Sequence, residues 1–158
     1  MTTPFFKARL LILGACLSGL WACQPSLVYQ QQEAIPSEGW HYRDGIVFEA
    51  HIRDTLSLHE MYLDVRNTTD YAYSNLFLFL EIGFPDGRTL RDTIECILAD
   101  RRGQWTGRGT GNLRFNRFLF RDDVWFPTEG TYTFRLQHGM REDMLEGISD
   151  VGLRIENK

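Results

Sequence analysis

The strongest hairpin signal in the chain is the stretch Leu76-Phe77-Leu78-Phe79-Leu80-Glu81-Ile82-Gly83-Phe84-Pro85-Asp86-Gly87-Arg88. Its first seven residues are apolar except for Glu81, and so short an apolar run is typical of a β-strand that is central or covered on both faces. Pro85 presets the backbone for a turn, and Asp86-Gly87 tolerates the remaining turn positions. Apolar residues return at even spacing between residues 90 and 98. The stretch therefore predicts a β-hairpin.

Apolar and polar residues alternate in most segments that flank this hairpin. The alternation is clearest in residues 46–52, 61–66, 131–138 and 151–156. It places one face of each strand in a core and the other in water. The segments together predict an all-β fold, an antiparallel β-sandwich of immunoglobulin-like or jelly-roll-like type with about seven or eight strands. Phe134 and Leu153 are expected in its core, and Gly130-Thr131-Tyr132 resembles the tyrosine corner of such sandwiches.

The composition of the 158 residues excludes several classes of protein. Charged residues make up 24 % and hydrophobic residues 43 %, which are ordinary values for a globular domain and exclude a disordered chain. The 13 % of aromatic residues favours strands. Seventeen Lys and Arg against 21 Asp and Glu give a net charge of -4, without the basic excess of a protein that grips phosphate backbones. We therefore expect no nucleic-acid partner.

Residues 1–22 have the composition of a secretory signal peptide. Lys7 and Arg9 are their only charged side chains, and an apolar run extends from residue 10 to residue 22. Such a run fits the hydrophobic region of a signal peptide and is shorter than the roughly 20 residues of a membrane-spanning helix. It ends in Leu20-Trp21-Ala22-Cys23, which resembles a bacterial lipobox apart from the unusual tryptophan.

Two cysteines compete as the acylation site. The letters of Leu13-Gly14-Ala15-Cys16 match a lipobox better, but processing there would leave only residues 10–13 as a continuous apolar segment. That segment is too short for a signal peptide. The hydrophobic length therefore predicts that Cys23 carries the lipid, which would attach the protein to a membrane through its N-terminus.

The chain is predicted to have three parts. Residues 1–22 form a lipoprotein signal peptide, residues 23–38 a lipidated N-terminal tether, and residues 39–158 the β-sandwich domain. The tether is predicted because residues 24–37 are rich in glutamine, contain two prolines and show no sustained apolar period. Cys96 would be the one cysteine of the domain, which excludes an intramolecular disulfide and favours a packing role over a catalytic thiol.

No pattern of residues predicts a catalytic, metal or cofactor site. The glycine-rich run from residue 103 to residue 111 lacks the Lys-Ser/Thr of a phosphate-binding loop and the G-x-G-x-x-G spacing. Adjacent carboxylates at Asp122-Asp123 and Glu142-Asp143 are expected in solvated turns rather than as a glycosidase pair. The histidines do not have the spacing of a metal site; they are His41, His51, His59 and His138. We therefore expect a protein that is not an enzyme and needs no metal or cofactor.

The candidate binding residues are aromatic. Trp40, Trp105 and Trp125 lie near predicted turns, where they could plug the ends of the sandwich or form a platform for sugar rings or a protein partner. Trp105 and Arg108 are the predicted partner-binding residues, because an aromatic anchor beside a guanidinium has the composition of an interface hot spot. Glycine neighbours would leave both side chains accessible.

An ordered set of segments resembles the gliding-motility lipoprotein family called GldH. The segments span the chain from the lipobox onward: Cys23, Ile35-Pro36, Gly39-Trp40, Arg66-Asn67, Asp70-Tyr71, Tyr73-Ser74-Asn75-Leu76-Phe77-Leu78, Phe84-Pro85-Asp86-Gly87-Arg88, Asp92-Thr93, the glycine run around Trp105, Phe126-Pro127-Thr128-Glu129-Gly130-Thr131-Tyr132, His138-Gly139-Met140-Arg141 and Gly147-Ile148-Ser149-Asp150-Val151-Gly152-Leu153-Arg154-Ile155. The ordered set covers essentially the whole mature chain and is fairly specific.

The resemblance implies a role in cell gliding and in the associated secretion machinery, without enzymatic activity and without catalytic residues. We therefore expect a lipid-anchored structural or partner-binding component at the outer membrane, with envelope proteins of that machinery as partners. The residues after Cys23 contain no acidic run resembling a surface-export signal, so the domain is expected to face the periplasm. The alternative is a lipid-anchored carbohydrate-binding β-sandwich, which a row of exposed tryptophans would favour.

Overall fold

A computed structural model describes residues 26–158 of the chain, so the predicted signal peptide and Cys23 lie outside the described residues. Within these residues ten β-strands follow one another, and their bounds are β1 Leu27–Ala34, β2 Trp40–His41, β3 Ile46–Ile52, β4 His59–Thr68, β5 Asn75–Gly83, β6 Thr89–Ile97, β7 Leu113–Val124, β8 Gly130–His138, β9 Met144–Leu145 and β10 Ile148–Asn157. Between Ser26 and Lys158 there is no helix long and apolar enough to cross a membrane.

Eight of the strands form two four-stranded antiparallel sheets. The first has the order β1-β10-β4-β7 and the second the order β3-β8-β5-β6, while β2 and β9 form a separate two-stranded pair. The prediction of an all-β antiparallel sandwich is confirmed. The predicted hairpin is β5–β6, in which Gly83 pairs with Thr89 and the Phe84 amide donates to the Arg88 carbonyl at 2.8 Å. Gly87 has a φ of 87°, a left-handed conformation that glycine adopts without steric cost.

The core lies between the two sheets and contains the inward-facing residues of both. Phe134 and Leu153 are fully buried, as predicted, and so is Cys96, whose burial raises the pKa of its thiol to about 12. Tyr132 forms the predicted tyrosine corner: its buried ring packs edge-on against Phe126, and its hydroxyl donates to the Thr128 carbonyl at 2.9 Å. These contacts fix the loop that joins β7 to β8.

The predicted tether is corrected by the structure, because residues 27–34 form β1 instead of a flexible segment. This strand pairs with the edge of β10 over its whole length. Backbone hydrogen bonds supply most of the pairing, so polar glutamines serve as well as apolar residues at a sheet edge. Only Val28 and Tyr29 pack against the core. The sandwich therefore already includes residues 27–34, which follow Cys23 by four residues, and does not start at residue 39.

Candidate functional site

The loop between β6 and β7 consists of two consecutive tight turns. In the first, Asp100 Oδ1 accepts the backbone amides of Arg102 at 2.8 Å and Gln104 at 2.9 Å, and the Gly103 amide donates to the Asp100 carbonyl at 3.0 Å. Gly103 has a φ of 77°, which disfavours any residue with a Cβ. This turn brings Trp105 back beside Ala99 in an antiparallel bridge.

The second turn places Arg108 against the start of β7. The Arg108 amide donates to the Phe115 carbonyl at 2.9 Å, and the Phe115 amide donates back at 2.7 Å. Gly107 permits this approach, since a Cβ there would lie 2.6 Å from Asn116 Nδ2 and 2.9 Å from the Phe115 carbonyl oxygen. The glycine-rich run thus folds into a compact element of two tight turns.

Polar side chains lock the two turns to the first sheet. Thr106 Oγ1 lies 3.0 Å from the Leu98 carbonyl oxygen and 3.1 Å from Asn116 Oδ1. Asn116 Nδ2 donates to buried Asn67 at 3.2 Å, which in turn donates to the Thr68 carbonyl at 2.9 Å. Because buried amides are costly to leave unpaired, this network holds the loop in one conformation.

The loop and β7 carry a concentration of positive charge that contrasts with the acidic chain. We call residues 101–121 the arginine-rich segment, since they include six arginines and no Asp or Glu; the arginines are Arg101, Arg102, Arg108, Arg114, Arg117 and Arg121. Acidic residues elsewhere outnumber basic ones and bring the net charge to -4. A local excess of one sign on a protein of the other sign favours a partner of complementary charge.

Two of the six arginines are ion-paired. Arg117 makes a bidentate pair with buried Asp64, at 2.7 and 2.8 Å, and this hydrogen bonding raises the pKa of Arg117. Arg121 reaches Asp92 of β6 at 2.5 Å and so links the edges of the two sheets.

The remaining arginines keep their charge available. Within the part of the chain from Ser26 to Lys158, Arg101, Arg102 and Arg108 are exposed and form no ion pair. Arg114 donates to two backbone carbonyls of its own turn.

A shallow groove of about 580 Å³ lies beside these arginines, between the edges of β6 and β7. Ile97, Phe115 and Phe118 supply its apolar surface, and Ile97 is 48 % exposed. Arg108 and Arg117 supply its cationic rim. A groove with an apolar base and a guanidinium rim is suited to an extended acidic segment or an acidic protein surface.

Both predicted partner-binding residues therefore belong to one ordered element, with Arg108 at the groove. Trp105 is half-buried, because part of its ring packs against the core. Sequence reasoning missed Arg101, Arg102 and Arg114 as members of the same cationic surface. Residues 101–121 contain six arginines and no acidic residue. This charge pattern can be recognised from the sequence alone.

The other candidate residues are scattered. Trp40 is buried with its ring edge-on to His138, whereas Trp125 is 58 % exposed at the end of β7, at the opposite end of the sandwich from Trp105. These tryptophans form no continuous platform. Among residues 26–158, no group of three His, Cys, Asp or Glu side chains could hold a metal ion.

The adjacent carboxylates take part in local contacts. Lys158 Nζ lies 2.8 Å from both Asp122 Oδ1 and Asp123 Oδ1, and its hydrogen bond lowers the pKa of Asp122. Glu142 accepts the Tyr73 hydroxyl at 2.7 Å.

Comparison with known proteins identifies relatives over nearly the whole described region. The family model described as GldH lipoprotein matches residues 27–155. The gliding motility lipoprotein GldH homolog of Christiangramia forsetii is 35 % identical over 142 residues, covering 85 % of this chain and 86 % of that protein. The gliding motility lipoprotein GldH of Flavobacterium johnsoniae is 30 % identical over 159 aligned positions, covering 96 % of this chain and 97 % of that protein.

Similarity to solved structures is weaker. The Yersinia pseudotuberculosis-derived mitogen aligns with a TM-score of 0.38 at 7 % identity, covering 84 % of this chain and 86 % of that one. Pseudomonas aeruginosa AlgX aligns with a TM-score of 0.37 at 15 % identity, covering 89 % of this chain and 29 % of that one. Neither likeness bears on function.

Proposed function

Because this chain belongs to the GldH lipoprotein family, we propose that it acts as a non-enzymatic component of the gliding motility machinery and of the secretion system associated with it. In this proposal a lipid on Cys23 attaches it to the outer membrane, its domain faces the periplasm, and it holds a protein partner there. A lipid anchor raises the local concentration of the binding surface near envelope proteins.

The observation that supports partner binding is the arginine-rich segment. Arg101, Arg102 and Arg108 are exposed and unpaired within the described part of the chain, on a loop whose conformation is fixed by two turns and a buried amide network. A loop whose backbone is already ordered loses less entropy on binding than a flexible loop. Arginine and tryptophan are also enriched in interface hot spots. We therefore assign the partner an acidic surface that meets this segment.

The experiment is cross-linking in native envelopes, followed by mass spectrometry. The test variant is Arg101→Glu with Arg108→Glu, and the matched control is Arg43→Glu with Arg135→Glu, which makes the same charge change at exposed sites elsewhere. We expect the test variant to lose a cross-linked envelope protein, at least tenfold in yield, while the control retains it. Equal recovery of that protein with both variants would refute the arginine-rich segment as the docking surface.

A second measurement tests the alternative function, which is carbohydrate binding. Purified protein titrated with cell-envelope polysaccharides should show no saturable binding under this proposal. Saturable binding that Trp105→Ala abolishes, with the cross-linked partner unaffected, would instead support the carbohydrate-binding alternative.

A further inference from the structure

The N-terminal end of the described chain emerges at one particular end of the sandwich. The Asn157 amide donates to the Ser26 carbonyl at 2.9 Å, and the Lys158 amide donates to the Leu58 carbonyl at 2.9 Å. His59, next to Leu58, pairs with Val124. The ends of β1, β10, β4 and β7 therefore lie side by side, about 14 Å from first to last at the usual strand spacing.

Large apolar side chains are exposed at this same end. Leu56 is 92 % exposed, Trp125 58 %, Leu27 51 % and Leu58 45 %. We call these four residues the apolar end. Scattered single exposures are ordinary in folded proteins, but four along one row of strand ends indicate a surface that meets an apolar environment.

The loop that presents Leu56 is held in place. Asp54 Oδ1 accepts the amides of Leu56 at 2.8 Å and Ser57 at 3.0 Å. The Trp125 indole N–H donates to the Thr55 carbonyl at 2.7 Å, which ties the exposed ring to the same loop. Leu56 and Trp125 are therefore presented by an ordered framework.

The covalent chain limits how far the apolar end can lie from a lipid on Cys23. Cys23 precedes Ser26 by three residues, which span about 11 Å at full extension. Because β1 occupies residues 27–34 of the expected tether, Ser26 must stay within that distance of the acylated residue. The farthest strand end of the row, about 14 Å from β1, must then stay within about 25 Å of it. This step rests on the proposed lipidation.

We propose that the apolar end dips into the interfacial region of the bilayer that holds the anchor. Tryptophan suits this zone, because its ring prefers the apolar side while its N–H is satisfied, here by Thr55. Lys158 is paired with Asp122 and Asp123 and adds no free positive charge to this end, and the exposed Arg53 is followed directly by Asp54. The apolar side chains therefore carry the contact, which we expect on zwitterionic lipid.

This contact fixes the orientation of the whole domain. We call residues 101–112, the part of the arginine-rich segment that precedes β7, the arginine-rich loop. β7 starts beside this loop at Leu113 and ends at the apolar end at Val124. Its twelve residues span about 36 Å at the usual strand rise. The arginine-rich loop is thus held away from the bilayer, where a partner can reach it.

The test is quenching of tryptophan fluorescence by brominated phosphatidylcholine in zwitterionic vesicles. The protein is the whole processed chain, which is expected to begin at Cys23. The mass of the protein is measured first, to establish whether it carries acyl chains. We expect the acylated wild type to float with the vesicles and to be quenched. Trp125→Phe should abolish the quenching, whereas the matched control Trp105→Phe should retain it.

A second pair of variants leaves the fluorophore intact. Leu56→Asp should reduce the quenching of Trp125 at least twofold, whereas Leu113→Asp, at the far end of β7, should not change it. Both side chains are exposed, so both variants should fold. Flotation without quenching of Trp125 would refute the proposed contact between the apolar end and the bilayer. It would still be consistent with a lipid anchor on Cys23.

Absence of acyl chains would count against the proposed function instead. In that case the quenching of Trp125 is measured with the unacylated protein at high lipid concentration, where the apolar end must bind the vesicles without help from an anchor. Quenching that Leu56→Asp reduces would still support the membrane contact, and no quenching would overturn it.

Discussion

Phe134 lies in the middle of β8 and is fully buried between the sheets. Replacing it by alanine removes a large apolar side chain and leaves a cavity that rigid strands cannot close. We expect Phe134→Ala to reduce the free energy of unfolding by about 3 to 5 kcal/mol, measured by urea denaturation. The exposed Phe79→Ala is the control and should cost far less. A change near zero for Phe134→Ala would contradict the assigned core.

Another buried residue, His138, makes stability depend on pH. Burial lowers the pKa of His138 below its ordinary value of 6.5. The unfolded chain therefore takes up a proton as the pH falls through about 6.5, while the folded chain does not. Stability is highest above that pH and declines below it, by at most about 1.4 kcal/mol per pH unit for one proton.

The variant His138→Leu isolates this contribution. Between pH 7.5 and pH 5.5 the unfolding free energy of the wild type should fall more steeply than that of the variant, because Asp150 and the other titrating groups are common to both. Parallel pH profiles in urea denaturation would show that His138 does not titrate differently in the two states.

At the scale of elements, the sequence predicts best where burial is periodic. The β5–β6 hairpin and the burial of Phe134 could be read from alternation and from Pro85-Asp86-Gly87, since turn and core chemistry are local. The strand β1 could not be predicted in this way, because a strand held by backbone hydrogen bonds at a sheet edge does not need alternating apolar residues. The conformation of the arginine-rich loop could not be predicted either, because it depends on a hydrogen bond between Asn116 and Asn67, which are far apart in sequence.

The strand β1 gives a direct prediction. Val28 and Tyr29 are half-buried against the core. Replacing both by serine should lower the unfolding free energy by about 2 kcal/mol, given about 25 cal/mol per Å² of apolar surface returned to water. Glu38→Ser, an exposed change just after the strand, should have no effect. If the double variant were as stable as the wild type, residues 27–34 would behave as the flexible tether expected from the sequence alone.

At the scale of the molecule, the two proposed binding surfaces lie at opposite ends of the sandwich. The apolar end lies beside the point where the chain leads to Cys23, and the arginine-rich loop lies about 36 Å away along β7. A lipid anchor and a binding loop so arranged suit a protein that holds a partner at a set distance from the membrane. Neither end would serve this role if the domain moved freely on a long tether.

Membrane attachment and partner binding are proposed to support gliding together. The measurement is complementation of a clean deletion strain with the wild type or with an anchorless periplasmic form at equal abundance, followed by assays of surface movement and adhesin export. The wild type should restore both, and the anchorless form should not. Full restoration by the anchorless form, or normal movement and export in the deletion strain itself, would contradict the account.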